Sequence, residues 1–216
     1  MKTIRTILFA VIAVVAFSCG DDDSETLNIP EISQEDCIAR HFYYYNDATV
    51  LLSGELAPNK VLIGFYDSVD NSHITALINT EEGLKNITDE MISGNDGYKF
   101  VYVEFGVSKT CPEIYHFIEE MKTKNSIAFA NYVYDDTMSY TDEFLVKVQD
   151  VLDLTALEAT AAQTNTTIKG NAGNNWFVMS ATKDSGGDAM DMANHFYETG
   201  LFEHAEPNFI GAIHAD

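Results

Sequence analysis

The stretch "KVLIGFYD" (residues 60–67) is a short apolar run of alternating faces that closes on an acid, and it decides the fold because the chain carries it twice. Its counterpart is "EFLVKVQD" (143–150), and the period of two makes each a strand. Farther along, "YKFVYVEF" (98–105) is echoed by "NWFVMSAT" (175–182). Each of these is followed by a loop and an amphipathic helix, "CPEIYHFIEEMKTKN" in the first copy and "GGDAMDMANHFYETG" in the second. Each helix leads into another extended run, "SIAFANYVY" or "LFEHAEPNF". Between the first and middle strands lies a helical period. In copy two it is "LTALEATAAQTN", with Leu154, Leu157, Ala161 and Ala162 on one face and Asp153 or Thr155 to cap it. In copy one it is "SHITALINTEEG", with Ile74, Leu77 and Ile78 inward. The second strands, "NITDEMIS" and "TTIKGNAG", are short and polar and run into "GNDG" and "GNN" turn signals.

Strand, helix, strand, strand, helix, strand is the ferredoxin-like split βαβ unit. The fold class read from the sequence is therefore α+β, two tandem ferredoxin-like (βαββαβ) domains with antiparallel sheets. The same six elements in the same order twice favour this over a single larger α+β domain. The first domain is expected over 58–136 and the second over 142–216. Val61, Ile63, Phe65 and Phe100 are expected in one core, and Leu145, Val146, Trp176, Val178, Ala193 and Phe196 in the other. Domains of this size are expected to pack on each other rather than swing. Ahead of them, residues 37–57 hold an aromatic run, an "ND" turn and "TVLL", a hairpin expected to lean on the first domain. Its Tyr43–Tyr45 run reads as packing, because neighbours on a strand face opposite sides.

The N-terminus has the form of an export signal over 1–18, with Lys2 and Arg5 before the apolar "ILFAVIAVVAF". "AFSCGDDDSE" follows, in which small residues precede Cys19. This resembles a bacterial lipoprotein box, with a plain secretory cleavage site as the other reading. The acidic stretch after it resembles the surface-export tether of lipoproteins from Bacteroides-like bacteria, and physically it is a solvated, self-repelling linker over 19–36. The expected lipidation residue is Cys19, the expected location the outer membrane, surface-exposed, and the expected membrane contact the lipid anchor alone. With 34 acidic and 12 basic residues and a formal charge of −22, the chain is repelled by nucleic acid and by anionic lipid surfaces. A hydrophobic fraction of 46% separates it from disordered acidic proteins.

With Cys19 assigned to lipid, Cys37 and Cys111 remain as a pair. They either bridge in the oxidising setting of export or stay as two buried thiols, and the sequence leaves both open. No catalytic set, cofactor or metal site emerges. His41, His73, His116, His195, His204 and His214 form no HExxH, HxH or His-Cys spacing. "SGGD" (185–188) lacks the Lys of a phosphate loop and reads as a helix cap. Ser180 in "MSAT" has no nucleophile elbow around it. The chain is expected not to be an enzyme.

The second copy as a whole, a strand opening on "FLVKV", a helix, a hairpin, and a helix ending "YETGLFEHAEPNF" before the tail "IGAIHAD", resembles the propeptide or inhibitor domain of subtilisin-like serine proteases. "FYYYNDATVLL" followed by "KVLIGF" is similar to the N-terminal region of surface subtilases from Bacteroides relatives. No "HGT" or "GTSM" stretch is present, so the expectation is a free-standing prodomain that ends where a protease would begin. The resemblance implies an inhibitor or folding assistant of a subtilisin-like serine protease. Its sheet would pack on the enzyme, and Gly211, Ala212, Ile213, His214, Ala215 and Asp216 would lie in the cleft by β-augmentation. A non-catalytic surface binding or adhesion module stays open beside it.

Overall fold

The structure, a computed structural model, describes residues 29–52, 54–95 and 97–211. The leader, Cys19 and tail residues Ala212 to Asp216 lie outside the described residues. The first described element is a short helix α1 (Gln34–Ala39), which starts within the stretch read as tether (19–36) and runs past its end; it is capped by Ser33, whose side chain accepts from Asp36 N. A hairpin β1 (Phe42–Tyr45) and β2 (Ala48–Leu51) follows, turning on Asn46 and Asp47, both at positive φ.

The first repeat runs β3 (Leu56–Tyr66), α2 (Asn71–Thr80), β4 (Ser93–Asn95), β5 (Tyr98–Glu104), α3 (Cys111–Lys122) and β6 (Ile127–Tyr134). The second runs β7 (Met138–Lys147), α4 (Thr155–Thr164), β8 (Thr167–Gly173), β9 (Trp176–Ser180), α5 (Ala189–Glu198) and β10 (His204–Gly211). Strand order is β4-β5-β3-β6 in one and β8-β9-β7-β10 in the other, all antiparallel. Both are the ferredoxin-like order, so the α+β repeat expected from the sequence is present. Local chemistry explains the punctuation. Thr110 and Glu113 form a capping box on α3, and Asp188 caps α5 by accepting from Met190 N and Asp191 N. Asp153 accepts from Thr155 N at the start of α4, and Asn165 ends that helix in the left-handed region.

Four expectations need correction. The repeats do not hold separate cores. A three-residue turn, Asp135-Asp136-Thr137, joins β6 to β7, and one eight-stranded sheet carries one continuous buried cluster from Val61, Ile63 and Phe65 to Phe144, Val146, Phe177, Ala193 and Phe196. Phe100 belongs to the opposite face, with Leu62, Phe129 and Val133. Leu145, Trp176 and Val178 are half-buried on the helix-free side, because the inward register of those strands is Phe144/Val146 and Phe177/Met179. The N-terminal hairpin leans on the second unit rather than the first. Tyr43 packs edge-on against Phe209 at 5.0 Å, Tyr44 stacks on Tyr197 at 4.4 Å, and Asn194 Nδ2 donates to Phe42 O.

Two smaller differences have local causes. "NITDEMIS" makes a 3-10 turn at Asp89–Met91, and the strand is only Ser93–Asn95. On α4 the buried face is Leu157, Thr160, Ala161 and Thr164, with Ala162 exposed. Thr160 and Thr164 are tolerated inside because their hydroxyls donate back to Ala156 O and Thr160 O.

Candidate functional site

The sheet is split where the repeats meet. β6 and β7 pair at Tyr134 and Met138 and then part; farther along, β9 takes over the same edge of β7 from Glu143 onward. The Asn131 carboxamide bridges the split, donating to Tyr140 O at 2.7 Å and Thr141 O at 3.1 Å, while Ser139 Oγ donates to Tyr132 O. Two carbonyls on the amide side fix its orientation and leave Oδ1 buried without a partner. Over the split, between α3 and α5, lies a cleft of about 260 Å³.

The walls of the cleft are charged and aromatic. Arg40 pairs with Asp191 at 3.1 Å and lies 5.5 Å over the Tyr115 ring, tying the end of α1 to both repeats. Tyr140 donates to Asp188 Oδ2 at 2.9 Å from beneath, and burial raises its phenol well above the ordinary value. Burial also pushes the Asp191 carboxyl up, with the neighbouring Asp188 adding to it and Arg40 opposing.

At one end of the cleft sits a buried cluster. Cys37 of α1 and Cys111, the first residue of α3, are joined as a disulfide with Cα atoms 5.9 Å apart. His41 lies against the bridge, with Nε2 3.4 Å from Cys111 Sγ and Nδ1 2.8 Å from Tyr134 Oη. A bridged sulfur can only accept, so Nε2 carries the proton and Tyr134 donates to Nδ1. Burial lowers the His41 pKa to about 4, so the ring is neutral near neutral pH.

The helix-free face of the second repeat forms a different surface. Leu145 and Val178 are cross-strand partners on it, with Glu206 beside Leu145 on the other edge. Trp176 stacks on His204 at 6.1 Å between centroids, across Lys147. Toward the first repeat this face curls inward, so that Lys169 Nζ of β8 lies 4.9 Å over the Tyr98 ring of β5.

Of the residues singled out by sequence, Cys37 and Cys111 are brought together. Gly211 is the last residue of β10, paired with Met138. Cys19 and Ala212, Ile213, His214, Ala215 and Asp216 fall outside the described residues. Asp188 is a plain helix cap, and Ser180 Oγ donates to the buried Asp142 carboxylate. The sequence reading set His41 aside with the other histidines, although it follows Cys37 by four residues and sits just past the end of α1. No described helix is long and apolar enough to cross a membrane.

No family model matches the chain, and no curated protein matches it. Among solved structures, an acetolactate synthase small subunit from Thermotoga maritima aligns over 73% of this chain and 98% of its own, at 10% identity and a TM-score of 0.27.

Proposed function

We propose that the chain acts without catalysis of its own, as a prodomain-like inhibitor or folding assistant of a subtilisin-like serine protease. The observation that carries this reading is the helix-free face of the second repeat. Leu145, Val178 and Trp176 stand there half-exposed on three-strand rows flanked by His204, Glu206 and Lys147, an apolar centre with a polar rim. Such a patch supports docking on another protein. β10 supports the second half of the reading: it runs as an extended strand along the edge of β7 as far as Gly211. A tail that continued in this strand conformation would be suited to strand addition in a cleft.

Removal of residues 212–216 tests the reading. Because β10 is paired through Gly211, the truncated chain is expected to keep its melting temperature while its inhibition of subtilisin-like proteases falls by orders of magnitude. Equal potency of the two forms would count against the tail. Attachment to the outer membrane through lipid on Cys19 belongs to the same proposal. Cys19→Ala is expected to release the protein from membranes, and continued fractionation with lipid would reject the anchor.

A second reading, a non-catalytic surface binding module, draws on the charged, aromatic cleft over the split in the sheet. Retention of a small ligand there by a chain inactive against every protease of a panel would favour it.

A further inference from the structure

We propose that Cys37, Cys111 and His41 form a zinc-class metal site once the disulfide is reduced, so that the bridge and the metal are alternative states of one buried position. All three residues are buried, and their ligand atoms lie within 4.8 Å of one another. Tetrahedral bonds of about 2.3 Å to sulfur and about 2.0 Å to nitrogen set the sulfur–nitrogen distance near ~3.5 Å and the sulfur–sulfur distance near ~3.8 Å. His41 Nε2 already stands 3.4 Å from Cys111 Sγ. The two sulfurs must separate, and Cα atoms 5.9 Å apart leave room for that by side-chain rotation.

The surroundings favour a ligating imidazole. The ring is held edge-on by Tyr132 and Tyr134, and Nδ1 has its own partner in Tyr134 Oη. An oriented second nitrogen of this kind fixes a histidine on a metal. Metal binding requires the proton to move from Nε2 to Nδ1. Tyr134 then accepts from the ring and turns its own hydroxyl proton from Nδ1 toward Met190 Sδ, 4.0 Å away. Cys37 and His41 also line the cleft, so the fourth coordination position opens to water or a small solute.

The chemistry balances. A dithiol reductant supplies two electrons and two protons, becomes a disulfide, and leaves two thiols. The cation displaces both thiol protons to solvent, and two thiolates neutralise its charge in the buried site.

The test is a cobalt titration. The chain is reduced with a non-chelating phosphine, freed of it, and titrated with Co2+ as the probe for Zn2+, following thiolate-to-metal charge transfer and the visible bands of a tetrahedral ion. One equivalent is expected to bind the reduced chain and to be displaced by Zn2+, with none bound by the oxidised chain. Cys37→Ser is expected to abolish the charge-transfer signal, and His41→Ala to weaken binding by at least about tenfold. Near-UV circular dichroism follows the fold in parallel; if reduction loosens it, the metal must restore it. A reduced chain that gives no tetrahedral spectrum, a spectrum unchanged by Cys37→Ser or His41→Ala, or a loosened fold that metal does not restore would overturn the proposal.

Discussion

His41 makes stability depend on pH in a definite direction. Its pKa is about 4 in the folded chain against an ordinary 6.5, so between those values the unfolded chain binds the extra proton. Its contribution is complete above pH 6.5 and is lost as pH falls toward 4, to the extent of roughly 3 kcal/mol. Asp191 works the other way: its carboxyl is raised, so acidification below the folded value relieves a buried charge. His41→Gln is therefore expected to flatten the fall in melting temperature between pH 6.5 and 4, and Asp191→Asn to steepen it. An unchanged profile in His41→Gln would show that the ring is not held neutral. At Gly64 the constraint is space. A Cβ there would stand 2.2 Å from the ring of Phe129, its cross-strand partner, so Gly64→Ala must expel that ring from the helix-free core. Destabilisation of about 1–3 kcal/mol by urea titration is expected.

At the scale of elements, the turns, caps and long strands were legible because their signals are local. The Asn46-Asp47 turn and the Asp188 cap are each settled within four residues. The side chosen by Leu145, Trp176 and Val178 was not, since three consecutive apolar residues fit either face of a strand and only the packing of Phe144 on Phe196 decides. The hairpin's partner was equally hidden, because Tyr43 meets Phe209 far along the chain. A double-mutant cycle of Tyr43→Ala and Phe209→Ala is expected to return a coupling of about 0.5–1.5 kcal/mol, and zero coupling would detach the hairpin from β10. The bridge from α1 to α3 closes a loop with a sequence separation of 74. Loop entropy alone makes the Cys37→Ala/Cys111→Ala chain about 4 kcal/mol less stable.

For the whole molecule, the repeat was readable and its fusion was not. Two copies of six elements announce two ferredoxin-like units, but a three-residue turn leaves no linker between them, and β9 and β6 share an edge of β7. The shared cluster predicts one cooperative transition. Fluorescence of Trp176, the chain's single tryptophan, and far-ultraviolet circular dichroism should give the same urea midpoint, and separate midpoints would mean independent units. The candidate sites show the same limit: the sequence left Cys37 and Cys111 open between a bridge and two buried thiols, and the Asn131 bonds that span the split beneath the cleft come from a position with no sequence signature.

The central claim is that the helix-free face of the second repeat docks on a subtilisin-like protease. The measurement that tests it most directly is the inhibition constant of the intact chain, compared with a Leu145→Ala/Trp176→Ala/Val178→Ala variant shown to keep its fold. All three side chains are half-exposed, so the fold is expected to survive their loss. Dose-dependent inhibition of at least one such protease, weakened by about thirtyfold or more in the variant, is the predicted result. Inhibition untouched by the three substitutions, or none by the intact chain across the panel, would contradict it.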